Sequence, residues 1–137
     1  GITFGPRNER DYGEKINKKM RMGALLSVLS RKAKEGEIIL VDSFTFSEPK
    51  SSVAKTMLEK LSHGAEAPAL VSKKKNAALL ALAAYDSAAI KSFSNFGNVV
   101  TEEARNLNPL TIMTAKYLII EKPEETFAAL EKRVTAK

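Results

Sequence analysis

Two rhythms of apolar residues alternate along the chain: stripes at helical spacing, and short continuous runs bounded by turn residues. Met22, Leu25, Val28, Leu29 and Ala33 fall at i, i+3, i+6, i+7 and i+11, one face of a helix that Asn17 can cap and Gly36 can stop. Residues 37–41 (EIILV) form a nearly unbroken apolar run ending at Asp42, the pattern of a strand buried on both faces in a parallel sheet. Beyond a turn at Ser47, Glu48 and Pro49, Ser51 or Ser52 can cap a second helix with Val53, Met57, Leu58 and Leu61 on one side. Residues 62–77, with Gly64, Pro68 and the Lys73, Lys74, Lys75 run, read as a loop.

Residues 78–83 (ALLALA) are ambiguous, because Ala and Leu prefer helix whereas length and flanks suit a strand. The alternation of elements needs a strand here, and we assign one. A short helix over 87–96 and a third strand over 98–101 follow, and Asn108 with Pro109 opens a helical turn in the cap-then-proline order. Residues 117–121 (YLIIE) repeat the buried-strand pattern. Pro123, Glu124 and Glu125 begin a closing helix with Phe127, Leu130 and Val134 on its apolar side. Strands alternating with helices predict an α/β fold, a Rossmann-like three-layer sandwich with a mainly parallel four-stranded sheet and right-handed crossovers. It occupies 17–137 as one domain. Residues 1–16, broken by Gly1, Gly5, Pro6 and Gly13 and without apolar period, precede it as a basic extended arm.

Charge sharpens this picture, because it is confined to one place. Residues 1–34 hold nine basic side chains (Arg7, Arg10, Lys15, Lys18, Lys19, Arg21, Arg31, Lys32, Lys34) and three acidic ones (Glu9, Asp11, Glu14), a net +6 that equals the charge of all 137 residues. The rest sums to zero. A neutral body with one basic arm and helix carries the electrostatic footprint of a polyanion-binding face. Arg supplies a planar fork for phosphate and can stack on a base, Lys a point charge, and Tyr12 an aromatic face within the same cluster. These residue types suit phosphate and shape recognition of folded RNA better than base readout.

Catalytic chemistry finds less support. The absence of Cys removes disulfides, thiol nucleophiles, iron–sulfur clusters and Cys-based zinc sites. His63 is the only histidine and reads as a loop residue, and no spaced Asp/Glu cluster suggests a metal. Neither G-x-G-x-x-G nor the Walker pattern occurs, so no nucleotide cofactor is expected. Asp42, Asp86 and Glu121 fall at or just after predicted strand ends, where α/β enzymes keep catalytic groups. An enzyme or nucleotide-binding domain built on those carboxylates is the competing assignment; loop and helix capping is the plainer role for them. The longest apolar run, 77–85, is too short to span a membrane.

Residues 3–36, TFGPRNERDYGEKINKKMRMGALLSVLSRKAKEG, resemble a segment of the bacterial large-subunit ribosomal protein four family. That segment opens with a G-P-[KR] turn, passes through a D-Y pair and enters a K-K-x-R helix followed by A-L-x-S-x-L-S. Gly5, Pro6, Arg7, Asp11, Tyr12, Lys18, Lys19, Arg21, Ala24, Leu25, Ser27, Leu29 and Ser30 match it. EIILVDSFTFSEPKS, AALLALAAYDSAAIKSFSNFGNV and ARNLNPLTIMTAKYLIIEKPEETFAALEKR are similar to the family's later strands, turns and closing helix. Met22 and Gly23 depart from it, standing where a second basic residue and a leucine are usual, and Gly23 costs the helix about 1 kcal/mol. Residues 62–76 are longer than the family's usual link.

The resemblance implies a structural, non-enzymatic constituent of the large ribosomal subunit, cytoplasmic and without cofactor, metal or small-molecule substrate. Its partners would be large-subunit ribosomal RNA and neighbouring ribosomal proteins. RNA contact carries over to Arg7, Tyr12, Lys18, Lys19 and Arg21 by match; Arg10, Lys15, Arg31 and Lys32 join on charge alone. It also implies that the family's N-terminal strand and tunnel-lining loop would precede Gly1, leaving a sheet edge prone to self-association.

Overall fold

The computed structural model describes residues 3, 5, 8, 9 and 13–135. Its elements in chain order are helix α1 (Lys18–Lys34), strand β1 (Ile38–Val41), helices α2 (Ser51–Gly64) and α3 (Ala69–Ser72), strand β2 (Ala78–Leu82), helix α4 (Ser87–Phe93), strand β3 (Val99–Glu103), a 3-10 turn at Ala104–Asn106, helix α5 (Pro109–Thr114), strand β4 (Tyr117–Glu121) and helix α6 (Pro123–Thr135). The four strands form one sheet in the order β1-β4-β2-β3, every pair parallel. The ambiguous ALLALA run is therefore a strand, and a central one.

Period-two alternation in the central strands builds two cores from one sheet. Ala78, Leu80 and Leu82 of β2 and Tyr117 and Ile119 of β4 face a core shared with Ala54 and Leu58 of α2, Leu70 of α3 and Phe93 of α4. Leu79, Ala81, Leu118 and Ile120 point the other way, onto Leu25 of α1, Ile112 of α5 and Leu130 of α6. Helices on both faces make the three layers. Phe93 is fully buried, with Phe44, Phe46 and Phe96 rings 5.5, 5.8 and 6.2 Å from it.

Several local expectations give way. β1 is not buried on both faces: it is an edge strand, and Leu40 is half exposed. Asn17 makes no side-chain cap; its amide approaches Met20 Sδ at 3.8 Å instead. Neither Ser51 nor Ser52 caps α2, whose flanking residue is Lys50 with its N–H on Ser92 Oγ at 3.1 Å. The stretch 62–77 is not a plain loop. α2 runs on through His63 to Gly64, α3 follows, and Ala67 and Leu70 enter the core because they are apolar positions in an otherwise polar segment. The helix expected over 87–96 ends at Phe93, and β3 extends to Glu103. Gly36 does end α1, at φ 70° in the left-handed region, and Asn108 does cap α5, accepting from Thr111 N at 3.0 Å ahead of Pro109.

Phe93→Ala should lower the unfolding free energy by about 3–5 kcal/mol, read from the urea midpoint, since the ring leaves a cavity amid three other aromatics.

Candidate nucleic-acid interface

α1 is the element that carries the charge. Its seventeen residues include Lys18, Lys19, Arg21, Arg31, Lys32 and Lys34 and no acid. Lys18, Lys19 and Arg21 crowd the first turn, where the helix presents the positive end of its macrodipole. The first turn itself contains no acidic residue and Asn17 makes no side-chain cap, and all three side chains are exposed. Lys15 stands exposed just before the helix. Arg7, Arg10 and Tyr12 lie outside the described residues.

The other end of α1 behaves differently. Arg31 is exposed and paired with Glu35 one turn on. Lys32, expected beside it on the RNA face, turns inward and is buried. It lies seven residues after Leu25, hence on the apolar stripe rather than the charged face. Its ammonium donates to Glu37 Oε2 at 2.7 Å and to the carbonyls of Ala115 and Lys116 at 2.8 Å each, so all three N–H groups are spent within the fold. Lys32 is thus a structural latch and not part of an exposed binding face.

α6 adds a cation that the charge pattern did not reveal. Its last turn lies beside the first turns of α1. Lys18, Lys19, Arg21, Met22, Gly23 and Leu26 of α1 line a cleft of about 530 Å³ with Arg133 and Val134 of α6. Arg133 is held in place by an Nη1 bond to Leu107 O at 2.9 Å. The neutral sum over residues 35–137 concealed it, since only tertiary packing brings residue 133 beside residue 18. A second, more apolar groove lies alongside, between Leu26, Leu29, Phe127, Leu130 and Val134, with Ile38 and Ile120 also lining it.

The strand-end carboxylates have structural employment. Asp86 caps α4, accepting from Ala88 N at 3.0 Å and Ala89 N at 3.3 Å. Glu121 is buried and accepts from Phe44 N at 3.1 Å. Asp42 is exposed. His63 sits exposed in the last turn of α2 rather than in a loop. Among the described residues no group of three or more His, Asp or Glu side chains is placed to hold a metal ion, and no helix is long and apolar enough to cross a membrane. Lys73, Lys74 and Lys75 follow α3 at the surface, away from α1.

The model of the ribosomal protein L4/L1 family matches residues 1–133. Among curated relatives, the chain is similar to proteins named large ribosomal subunit protein uL4. That of Mycoplasma capricolum is 32% identical over 132 residues, covering 96% of this chain and 58% of the relative. That of Carboxydothermus hydrogenoformans is 36% identical, covering 93% and 58%, and that of Symbiobacterium thermophilum 36%, covering 87% and 52%. The chain therefore spans just over half the length of these relatives.

Adjacent cations should respond oppositely to substitution. Lys32→Met strands Glu37 and two carbonyls and should cost about 2–3 kcal/mol of stability. Arg31→Ala, which removes an exposed pair, should stay within about 0.5 kcal/mol. Urea unfolding of the two variants side by side reads the difference.

Proposed function

The chain belongs to the ribosomal protein L4/L1 family, and on that premise we propose that it is a structural part of the large ribosomal subunit that holds ribosomal RNA through the start of α1 and the arm before it. The observation that carries this reading is the first turn of α1. Three cations stand at the positive end of a helix dipole with no acid and no side-chain cap. Each unfavourable charge of this kind costs roughly 0.3–1 kcal/mol at a helix end. RNA phosphates brought there relieve all three and meet backbone N–H groups that lack side-chain partners.

The contact set comprises Lys15, Lys18, Lys19, Arg21 and Arg31 with Arg7, Arg10 and Tyr12 of the arm. Lys32 drops out because its donors are used inside the fold. The two-faced α/β body stands behind this surface as a rigid spacer, and neighbouring ribosomal proteins are the partners for its remaining faces. It performs no catalysis and works in the cytoplasm, on the ribosome. The competing enzyme assignment loses two of its three carboxylates to capping and core hydrogen bonds.

Binding by phosphate neutralisation releases counterions, so affinity falls with salt. With about five to seven phosphate contacts, each contributing about 0.7–0.9, log affinity for a large-subunit ribosomal RNA fragment should fall against log salt with a slope near −5. Alanine at Lys18, Lys19 and Arg21 together should flatten that slope by about two to three units. Fluorescence anisotropy across a salt series reads it, and an unchanged slope contradicts the assignment.

A further inference from the structure

The cleft between the start of α1 and the last turn of α6 has a division of chemistry that phosphate neutralisation alone does not use. Its rim is cationic: Lys18, Lys19 and Arg21 on one side, Arg133 across from them. Its floor is apolar, formed by Met22, Leu26 and Val134 around the bare backbone of Gly23. None of its described lining residues is acidic. Leu26 and Val134 are both more than 40% exposed, an unusual placement for aliphatic side chains ringed by charge. Arg133 is positioned rather than free to wander: its bond to Leu107 O uses one of five guanidinium donors.

A continuous RNA duplex would leave this floor empty, because its bases stay stacked and offer a protein phosphates, riboses and base edges but no free π-face. A nucleotide out of the stack has both halves of the required chemistry: an apolar π-face for the floor, and phosphates on either side for the rim. The volume of about 530 Å³ lies within the range of about 300–1,000 Å³ typical of small-ligand sites. We infer that this cleft seats one unpaired RNA nucleotide, its base against Met22, Leu26 and Val134 and its flanking phosphates on Lys18, Lys19, Arg21 and Arg133. The inference rests on the RNA-binding function proposed above and specifies the RNA it prefers: a helix interrupted by a bulged or looped-out base.

Gly23 provides the means to test it. A Cβ added there meets no atom within 4 Å, and the residue sits mid-helix, where Gly is the weakest helix former after Pro. Gly23→Leu therefore adds an apolar side chain among the cleft's lining residues without removing a charge, at a position where the Cβ has open space and helix propensity rises. The full chain is titrated with two RNA hairpins of equal length and charge, one fully paired and one carrying a single bulged 2-aminopurine. The native protein should bind the bulged hairpin about tenfold more tightly and change the probe's fluorescence. Gly23→Leu should melt no lower, keep the salt slope, and bind both hairpins alike. Equal binding of both hairpins by the native protein, with a steep salt slope, overturns the nucleotide pocket and leaves the phosphate contact standing. A preference that survives in Gly23→Leu also overturns it. Absence of salt-dependent binding to either hairpin removes both proposals together.

Discussion

The ammonium of Lys32 donates to the carbonyls of Ala115 and Lys116 and to the Glu37 carboxylate, joining the last turn of α1 to the chain entering β4 and to the chain entering β1. Those two strands are hydrogen-bonded neighbours, with Ile38 opposite Leu118. One cation therefore ties the basic helix to the two strands at that side of the sheet. Leu25, on the same stripe, is buried against the core that β4 and β2 share with α5 and α6. Lys18 lies fourteen residues before Lys32, about 21 Å away at 1.5 Å per residue. The latched end and the charged end are thus separate, and the charged turn can stand in solvent without loosening the fold.

What is fixed at one end makes the other end anion-seeking. A soluble helix normally places acids in its first turn and bases in its last. α6 follows that rule, with Glu124 and Glu125 at its start and Lys132 and Arg133 at its end, while α1 breaks it at its start. In the cleft between them, the basic end of α6 lies beside the unfavourable basic start of α1. Such a concentration of like charge opposes folding locally and is sustained by packing elsewhere, chiefly Lys32 and the apolar stripe. A local rule broken at one place while the surroundings obey it is expected at functional or strained sites.

Much of the architecture was legible because central parallel strands are apolar on both faces: YLIIE announces β4 by itself, whereas ALLALA, whose Ala and Leu also suit a helix, became β2 through the alternation of the elements around it. The edge position of β1 was not legible, since EIILV looks the same whether one side is paired or free. α3 was hidden by the lysines and proline around Ala67 and Leu70, whose burial depends on packing against α2 in the core. Charge singled out Lys18, Lys19 and Arg21, which stand exposed in the first turn of α1, but could not separate exposed Arg31 from buried Lys32. Helical spacing could have done so: Lys32 continues the stripe through Leu25, Val28 and Leu29. Arg133 had no local signal, because its proximity to α1 is a property of the tertiary fold.

The measurement that bears most directly on the account is a salt titration of binding to large-subunit ribosomal RNA fragments beside an unrelated folded RNA of equal length. Tight, salt-steep binding selective for the ribosomal fragment is the result predicted for a surface shaped by α1 and α6 as well as charged. Weak binding equal for both RNAs would contradict it, leaving the start of α1 as a merely cationic patch on an α/β body.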